Sequence, residues 1–134
     1  MDKGFAKRLV EFILPTVLLV AVGCAGLDAP VTPLSPEQGT RVLDMTATSF
    51  EFQPNNIKVP EPGALKLTIE NISGTAHNLT IKNPKGQVLK SVDLPSEKTV
   101  SVTVDLPASG KYEFYCDRPL HATLGMKGQI QVGP

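Results

Sequence analysis

Three side chains able to bind a soft metal lie close together near the end of this 134-residue chain. Cys116, His121 and Met126 provide a thiol, an imidazole and a thioether at the spacing Cys-x4-His-x4-Met. These are ligand types of a mononuclear electron-transfer copper site, which also needs a second imidazole. The sequence has two histidines, and the other is His77, so one such site would use both. We call residues 116–126 the ligand loop.

The chemistry of this donor set favours copper over other metals. Soft sulfur stabilises Cu(I), whereas imidazole nitrogen keeps Cu(II) accessible, and a thioether is a poor ligand for zinc. Pro119 restricts the backbone of the ligand loop, and Gly125 permits the tight approach that delivers Met126. Asn78, directly after His77, is expected to hydrogen-bond to the ligand loop and hold it closed, because metal sites require such support.

The segments that must position these residues alternate between apolar and polar side chains, which is typical of strands with one buried face. Turn signals rich in proline, glycine and asparagine separate them. About eight strands and no helical period predict an all-β fold, a Greek-key antiparallel β-sandwich. The alternation is clearest at 65–69 and 100–104, and further strands are predicted at 42–47, 56–59, 77–82, 87–92, 111–116 and 127–132.

The period of two also predicts where two of the ligands point. His77 has the same parity as Leu79, and Cys116 has the same parity as Phe114. Both ligands should therefore point inward, each at one end of its strand. A loop can complete a pocket there without interrupting the core.

The first part of the chain has the pattern of an export signal. Residues 1–23 combine a basic start with an apolar run, which is shorter than the ~20 residues of a membrane-spanning helix. The run ends at Cys24 in a segment that resembles a bacterial lipoprotein cleavage site, at which the cysteine is lipid-modified. An uncleaved N-terminal anchor and ordinary secretion are the alternatives. Lipidation would leave Cys116 as a single thiol, available to a metal.

The rest of the chain divides into a linker and one domain. Residues 24–40 hold the predicted lipidated cysteine and a proline-rich linker, and residues 41–134 form the folded domain. The formal net charge is zero and the basic residues are scattered, which argues against a nucleic-acid partner. We expect a monomer on the extracytoplasmic face of a prokaryotic membrane, in the periplasm or at the cell surface.

The domain resembles the cupredoxins, a family of small blue (type 1) copper proteins, over residues 41–132. The spacing in the ligand loop is most similar to that of auracyanin-like and rusticyanin-like members. The segments that carry the resemblance are 50–59, the pair His77-Asn78, 112–116 and 125–128.

The resemblance implies a role for each site residue. His77, Cys116, His121 and Met126 would bind one type 1 copper, and the carbonyl of Ala76 would make a weak contact with it. The exposed edge of His121 would transfer the electron. The loop residues that offer an apolar electron-transfer patch around that edge are Pro119, Leu120, Ala122 and Leu124.

The leading hypothesis is a membrane-tethered electron carrier that cycles copper between Cu(II) and Cu(I). On this hypothesis the protein is not an enzyme and has no catalytic residues, because copper enzymes of this fold need further imidazoles. A subunit that supplies only the electron-entry site of such an enzyme is an alternative. A binuclear centre would need a second cysteine in the ligand loop. The expected partners are redox proteins, such as respiratory or photosynthetic membrane complexes or cytochromes c. The alternative is an extracytoplasmic protein for copper delivery, storage or resistance.

The lipoprotein hypothesis predicts the mass of the mature chain. In the membrane fraction of an expressing bacterium, the first residue should be Cys24 with its lipid attached. Mass spectrometry of the purified protein measures this directly. A mature chain that still begins at Met1 would contradict lipidation and support the uncleaved anchor.

Overall fold

Strands account for all the regular structure of residues 31–33 and 40–134, the parts of the chain that this computed structural model describes. The predicted signal, Cys24 and most of the linker lie outside these residues. No helix in the described ranges is long and apolar enough to cross a membrane. In chain order the strands are β1 (Thr32–Pro33), β2 (Arg41–Thr48), β3 (Glu51–Gln53), β4 (Asn56–Val59), β5 (Gly63–Asn71), β6 (His77–Lys82), β7 (Val88–Leu94), β8 (Thr99–Leu106), β9 (Gly110–Tyr115) and β10 (Lys127–Val132).

The strands form two sheets that pack face to face around one core. One sheet has the order β1-β4-β10-β9-β6-β7, and the other has the order β3-β2-β5-β8. The predicted all-β sandwich is therefore confirmed, and each strand predicted from alternation is present with its ends shifted by two residues or fewer. The short strands β1 and β3 add to the predicted set.

The pairing differs from the expectation in one respect, because the sheets are mixed rather than antiparallel throughout. The pairs β1–β4, β4–β10 and β2–β5 are parallel. Between β2 and β5 the chain crosses to the other sheet to form β4 and then returns, which is the kind of crossover that parallel neighbours require. Alternation reports which face of a strand is buried and carries no information about the direction of its neighbour.

The core ends at the ligand loop. Cys116 and Met126 are fully buried members of the same cluster as the aliphatic residues of both sheets. The rings of Phe52 and Phe114 meet edge to face with centroids 5.7 Å apart, an arrangement that contributes about 0.5–1.5 kcal/mol beyond area burial. Two of the predicted metal ligands are thus part of the packed interior.

One glycine is required for this packing. Gly128 lies opposite Phe114 in the β9–β10 pair, and a Cβ at this position would collide with the Phe114 ring and with the carbonyl oxygen of Asn55. The absent side chain lets the ring lie against the backbone of β10. A larger residue would displace the ring or the strand.

We therefore predict that Gly128→Ala lowers the free energy of unfolding by about 1–3 kcal/mol, the usual cost of overpacking a core. Urea unfolding of the copper-free protein measures it. Gly74→Ala is the matched control, because a Cβ there would meet nothing within 4 Å, and it should change stability much less. Equal losses in the two variants would contradict the argument from packing.

Candidate metal centre

Neighbouring strands bring the first two predicted ligands together. His77 is the first residue of β6, and Cys116 directly follows the last residue of β9. The ladder between β6 and β9 pairs Thr80 with Tyr115 and continues away from the site, so the two strands separate where the ligands lie. Both ligands are buried, as parity predicts.

His121 completes a compact group of three donors. One donor atom from each of His77, Cys116 and His121 lies within 4.8 Å of the other two. The two Nδ1 atoms of the histidines are 3.0 Å apart, and the Cys116 Sγ lies 3.4 Å from the His121 Nδ1. Residues far apart in the sequence thus present their ring nitrogens and a sulfur to one point.

These separations fit a shared metal ion. Bonds from a metal to imidazole nitrogen and thiolate sulfur are roughly 2.0–2.3 Å long, so donors that share an ion lie roughly 3–4 Å apart. The observed separations of 3.0 and 3.4 Å agree with that requirement. Two imidazoles and a thiolate are also the donor set that copper favours.

The ligand loop is closed by its own backbone. The Cys116 N–H donates to the Met126 carbonyl at 3.0 Å, and the Met126 N–H donates to the His121 carbonyl at 3.0 Å. Gly125 has a φ of 119°, which side chains disfavour, so the turn before Met126 uses the glycine that the sequence singled out. Met126 is fully buried beside Cys116.

The hydrogen bond expected of Asn78 is present. Its side-chain oxygen accepts from the Asp117 N–H at 2.8 Å. If the β6–β9 register were extended by two residues, Asn78 would face Asp117, so a side-chain bond replaces the backbone bond at this point. The Thr80 hydroxyl also donates to the Asp117 carboxylate at 3.2 Å. The start of the ligand loop is therefore tied to β6 while the backbones diverge.

Ser73 is a contact of the site that the sequence did not indicate. Its Oγ lies 2.8 Å from the Nε2 of His77, the ring nitrogen that faces away from the other donors. A serine before a strand is common in turns, and no local pattern shows that it reaches a ligand four residues later. Only the path of the β5–β6 connection brings the two together.

Comparison with known proteins identifies the family. Residues 40–133 match the family model described as copper binding proteins, plastocyanin/azurin family. The chain belongs to this family. It is a cupredoxin, and the resemblance seen in the sequence is confirmed. One copper is accordingly the cofactor of this chain, with the His77, Cys116 and His121 group in place to hold it.

Solved structures of other copper proteins share the fold at low sequence identity. Dithionite-reduced auracyanin from the photosynthetic bacterium Roseiflexus castenholzii is 20% identical with a TM-score of 0.62, over 69% of this chain and 97% of that one. Reduced rusticyanin is 23% identical with a TM-score of 0.62, over 76% and 83% of the two chains. The metal-binding domain of the Cu(I)-exporting P-type ATPase CopA of Streptococcus pneumoniae D39 is 14% identical with a TM-score of 0.61, over 80% and 99%. No curated protein sequence matches the chain.

Apolar side chains of the ligand loop are exposed at the surface beside His121. His121 is partly exposed, Leu120 is 71% exposed and Leu124 is also exposed. Phe50, which the sequence did not indicate as part of the patch, places its ring edge to face on His121 with centroids 5.1 Å apart. Of the other predicted patch residues, Pro119 is exposed and Ala122 is partly buried.

The position of Ala76 is compatible with its predicted role, although the structure shows no contact that tests it. Ala76 directly precedes β6 and is partly buried. Its carbonyl contact with copper stays a prediction.

Burial lowers the pKa of His77. Desolvation is the largest cause, and the neighbouring His121 and the positive charge of Arg118 lower the pKa further. A neutral imidazole keeps a lone pair for a metal, whereas the protonated ring has none. The site therefore favours the neutral form of His77, which can bind a metal ion.

This shift predicts a pH dependence of stability for the copper-free protein. The unfolded chain takes up a proton on His77 near the ordinary pKa of about 6.5, and the folded chain does so only at lower pH. Between these values the unfolded state binds more protons, so the free energy of unfolding must fall as the pH falls below about 6.5. Urea unfolding at a series of pH values between 7.5 and 5 measures the slope.

The variant His77→Gln should flatten this slope, because it removes the group that titrates. His121→Gln should retain most of it, since burial rather than His121 is the largest cause of the lowered pKa. An unchanged slope in His77→Gln would assign the pH dependence to other groups.

Proposed function

We propose that this protein is a membrane-tethered carrier of single electrons that cycles its copper between Cu(II) and Cu(I). The observation that carries the proposal is a group of three donors, two of them buried, that the fold holds in place. His77 and Cys116 lie at the ends of neighbouring strands, and hydrogen bonds fix the loop that supplies His121. A site whose donors cannot move far needs little rearrangement when an electron arrives or leaves.

The proposed ligands are His77, Cys116, His121 and Met126. The first three present their donor atoms to one point. Met126 is buried beside them and is hydrogen-bonded to Cys116 through the backbone, which suits it to the weak fourth position that a thioether fills in blue copper sites. Copper bound to this set supplies one-electron redox chemistry.

The contact surface that we propose for redox partners is the apolar patch around His121. The partly exposed ring of His121 belongs to the donor group, and the ring of Phe50 packs on it. Leu120 and Leu124 of the same loop have exposed side chains. Electron-transfer encounters bury little area, so a small patch of this kind suffices. The proposed partners are membrane respiratory or photosynthetic complexes or cytochromes c.

The tether and the location rest on the sequence alone. Residues 1–23 have the pattern of an export signal, and Cys24 lies at the position of a lipid-modified cysteine. We propose that the domain is held at the extracytoplasmic face of the membrane, either by a lipid or by an uncleaved N-terminal segment.

Copper delivery, storage or resistance is the competing function. The likeness to the metal-binding domain of a Cu(I)-exporting ATPase has 14% identity and shows a shared fold only. Delivery requires that copper leaves, whereas the buried thiol and imidazole of Cys116 and His77 favour retention. An enzyme is a weaker proposal, because both histidines of the chain already belong to one group.

Visible spectroscopy of the copper-loaded protein tests the electron-carrier function. The oxidised protein should be blue from charge transfer between the Cys116 sulfur and copper, and Cys116→Ser should lose the colour. Repeated reduction and oxidation should leave the copper content unchanged. A colourless oxidised protein, or a blue Cys116→Ser variant, would refute the proposal, and loss of copper at each reduction would support delivery.

A surface variant separates the copper site from the patch in the same experiment. Leu120→Lys should keep the blue spectrum but slow electron self-exchange between two copies roughly tenfold or more, because it places like charges where the copies meet. Val88→Lys is the matched control, since Val88 is 57% exposed and lies at the end of β7 away from His77. Equal rates of electron self-exchange in the two variants would exclude the apolar patch around His121 as the contact surface between copies.

A further inference from the structure

We infer that Ser73, oriented by Asn71, holds His77 in the tautomer that carries its proton on Nε2 and so directs the lone pair of Nδ1 at the other donors. The inference concerns two residues that lie outside the ligand set. Its consequence for the reduction potential rests on the proposed electron-transfer function, whereas the tautomer itself does not.

The three side chains form a buried chain of contacts. Asn71 is 1% exposed and Ser73 is 8% exposed. The Ser73 Oγ lies 2.9 Å from the Asn71 Oδ1 and 2.8 Å from the His77 Nε2. The opposite ring nitrogen of His77, Nδ1, faces His121. The hydroxyl therefore touches the imidazole on the side away from the proposed copper position.

The orientation of the Asn71 amide follows from its partners. Its nitrogen lies within 2.9–3.1 Å of the carbonyl oxygens of Thr75, Leu94 and Pro95, all of which only accept. Its oxygen accepts from the Ser73 backbone N–H at 3.0 Å. Turning the amide over would place oxygen against three oxygens and nitrogen against a donor. The Asn71 oxygen therefore faces Ser73 as an acceptor.

The position of the Ser73 hydroxyl proton also follows from its hydrogen-bond partners. The Ser73 Oγ faces two oxygens that only accept, the Asn71 Oδ1 and the Thr75 carbonyl, each at 2.9 Å. A hydroxyl has one proton, and giving it to either oxygen leaves Oγ as an acceptor toward His77. If His77 lacked a proton on Nε2, the Ser73 hydroxyl would have to donate its proton to that nitrogen. The Asn71 Oδ1 and the Thr75 carbonyl oxygen would then both face a lone pair of the Ser73 Oγ.

The arrangement with the proton on Nε2 satisfies every group around the Ser73 hydroxyl. The His77 Nε2–H donates to the Ser73 Oγ, which donates in turn to Asn71 or to the Thr75 carbonyl, and the second lone pair of Oγ can accept from the Thr75 N–H at 3.3 Å. The other tautomer loses one of these bonds inside the protein, where lost hydrogen bonds are costly.

A partner on the far nitrogen also changes the ligand. An acceptor that binds the N–H of a metal-bound imidazole fixes the ring orientation and raises the basicity of the ligating nitrogen. A more basic nitrogen favours Cu(II), the harder oxidation state, over Cu(I). Ser73 should therefore increase the affinity for Cu(II) and lower the reduction potential.

The tautomer is measured in the copper-free wild-type protein. With 15N-labelled histidine at a pH above 7, long-range 1H–15N correlation spectra distinguish the two neutral forms. We expect His77 to carry its proton on Nε2. A proton on Nδ1 would overturn the inference without any variant being made.

Variants of Ser73 measure the effect on copper. Ser73→Ala should weaken Cu(II) binding 10- to 100-fold, the usual effect of removing such a partner. If the affinity for Cu(I) is unchanged, each tenfold loss raises the potential by about 59 mV. Ser73→Thr retains the hydroxyl and should restore the Cu(II) affinity and the reduction potential toward those of the wild type.

Ser96→Ala is the matched control, because the Ser96 hydroxyl donates to the Ser73 carbonyl at 3.0 Å and makes no bond with His77. It should lower stability without raising the potential. If Ser96→Ala raised the potential as much as Ser73→Ala, or if neither did, Ser73 would have no role specific to His77.

The two failures can be told apart. A copper-loaded protein that does not cycle would refute the electron-carrier function and leave the tautomer of the copper-free protein as the test of Ser73. A blue, cycling protein whose His77 carries its proton on Nδ1 would refute only the role of Ser73.

Discussion

The pairing of β6 with β9, and the point at which it stops, determines the metal centre. Backbone hydrogen bonds hold the two strands together as far as Thr80 and Tyr115. Beyond them, the Asn78 side chain takes over the connection to Asp117, and the backbones separate. The ladder thus ends directly before Cys116, and the ligand loop begins where the two backbones part.

Polar groups are hydrogen-bonded on the interior side of this gap. Asn71, Ser73 and His77 form a buried network, and partly satisfied buried networks are costly. On the surface side, the apolar ring of Phe50 packs on His121 instead. The ligands are thus held by hydrogen bonds toward the interior and by an aromatic contact toward solvent, which leaves one edge of one imidazole near the surface.

Period-two alternation was sufficient to predict the sandwich and the inward direction of His77 and Cys116, because burial acts on every second residue. The parallel pairs could not be predicted, since neighbour choice depends on crossovers between sheets. Ser73 and Phe50 were missed for a related reason. Each reaches its histidine through the geometry of a connection, which alternation does not report, and a serine at position 73 is equally typical of an ordinary turn.

The sequence separation of the donors has a consequence for metal capture. His77 and His121 are 44 residues apart, and only the closed sandwich places their rings together. An unfolded chain offers the donors of the ligand loop without the second imidazole, so strong copper binding is a property of the folded state. By mass action, the metal then stabilises the native fold over the unfolded chain. A chain that has not closed its sandwich therefore holds copper more weakly than the folded protein, and the occupied site reports that the two sheets have come together.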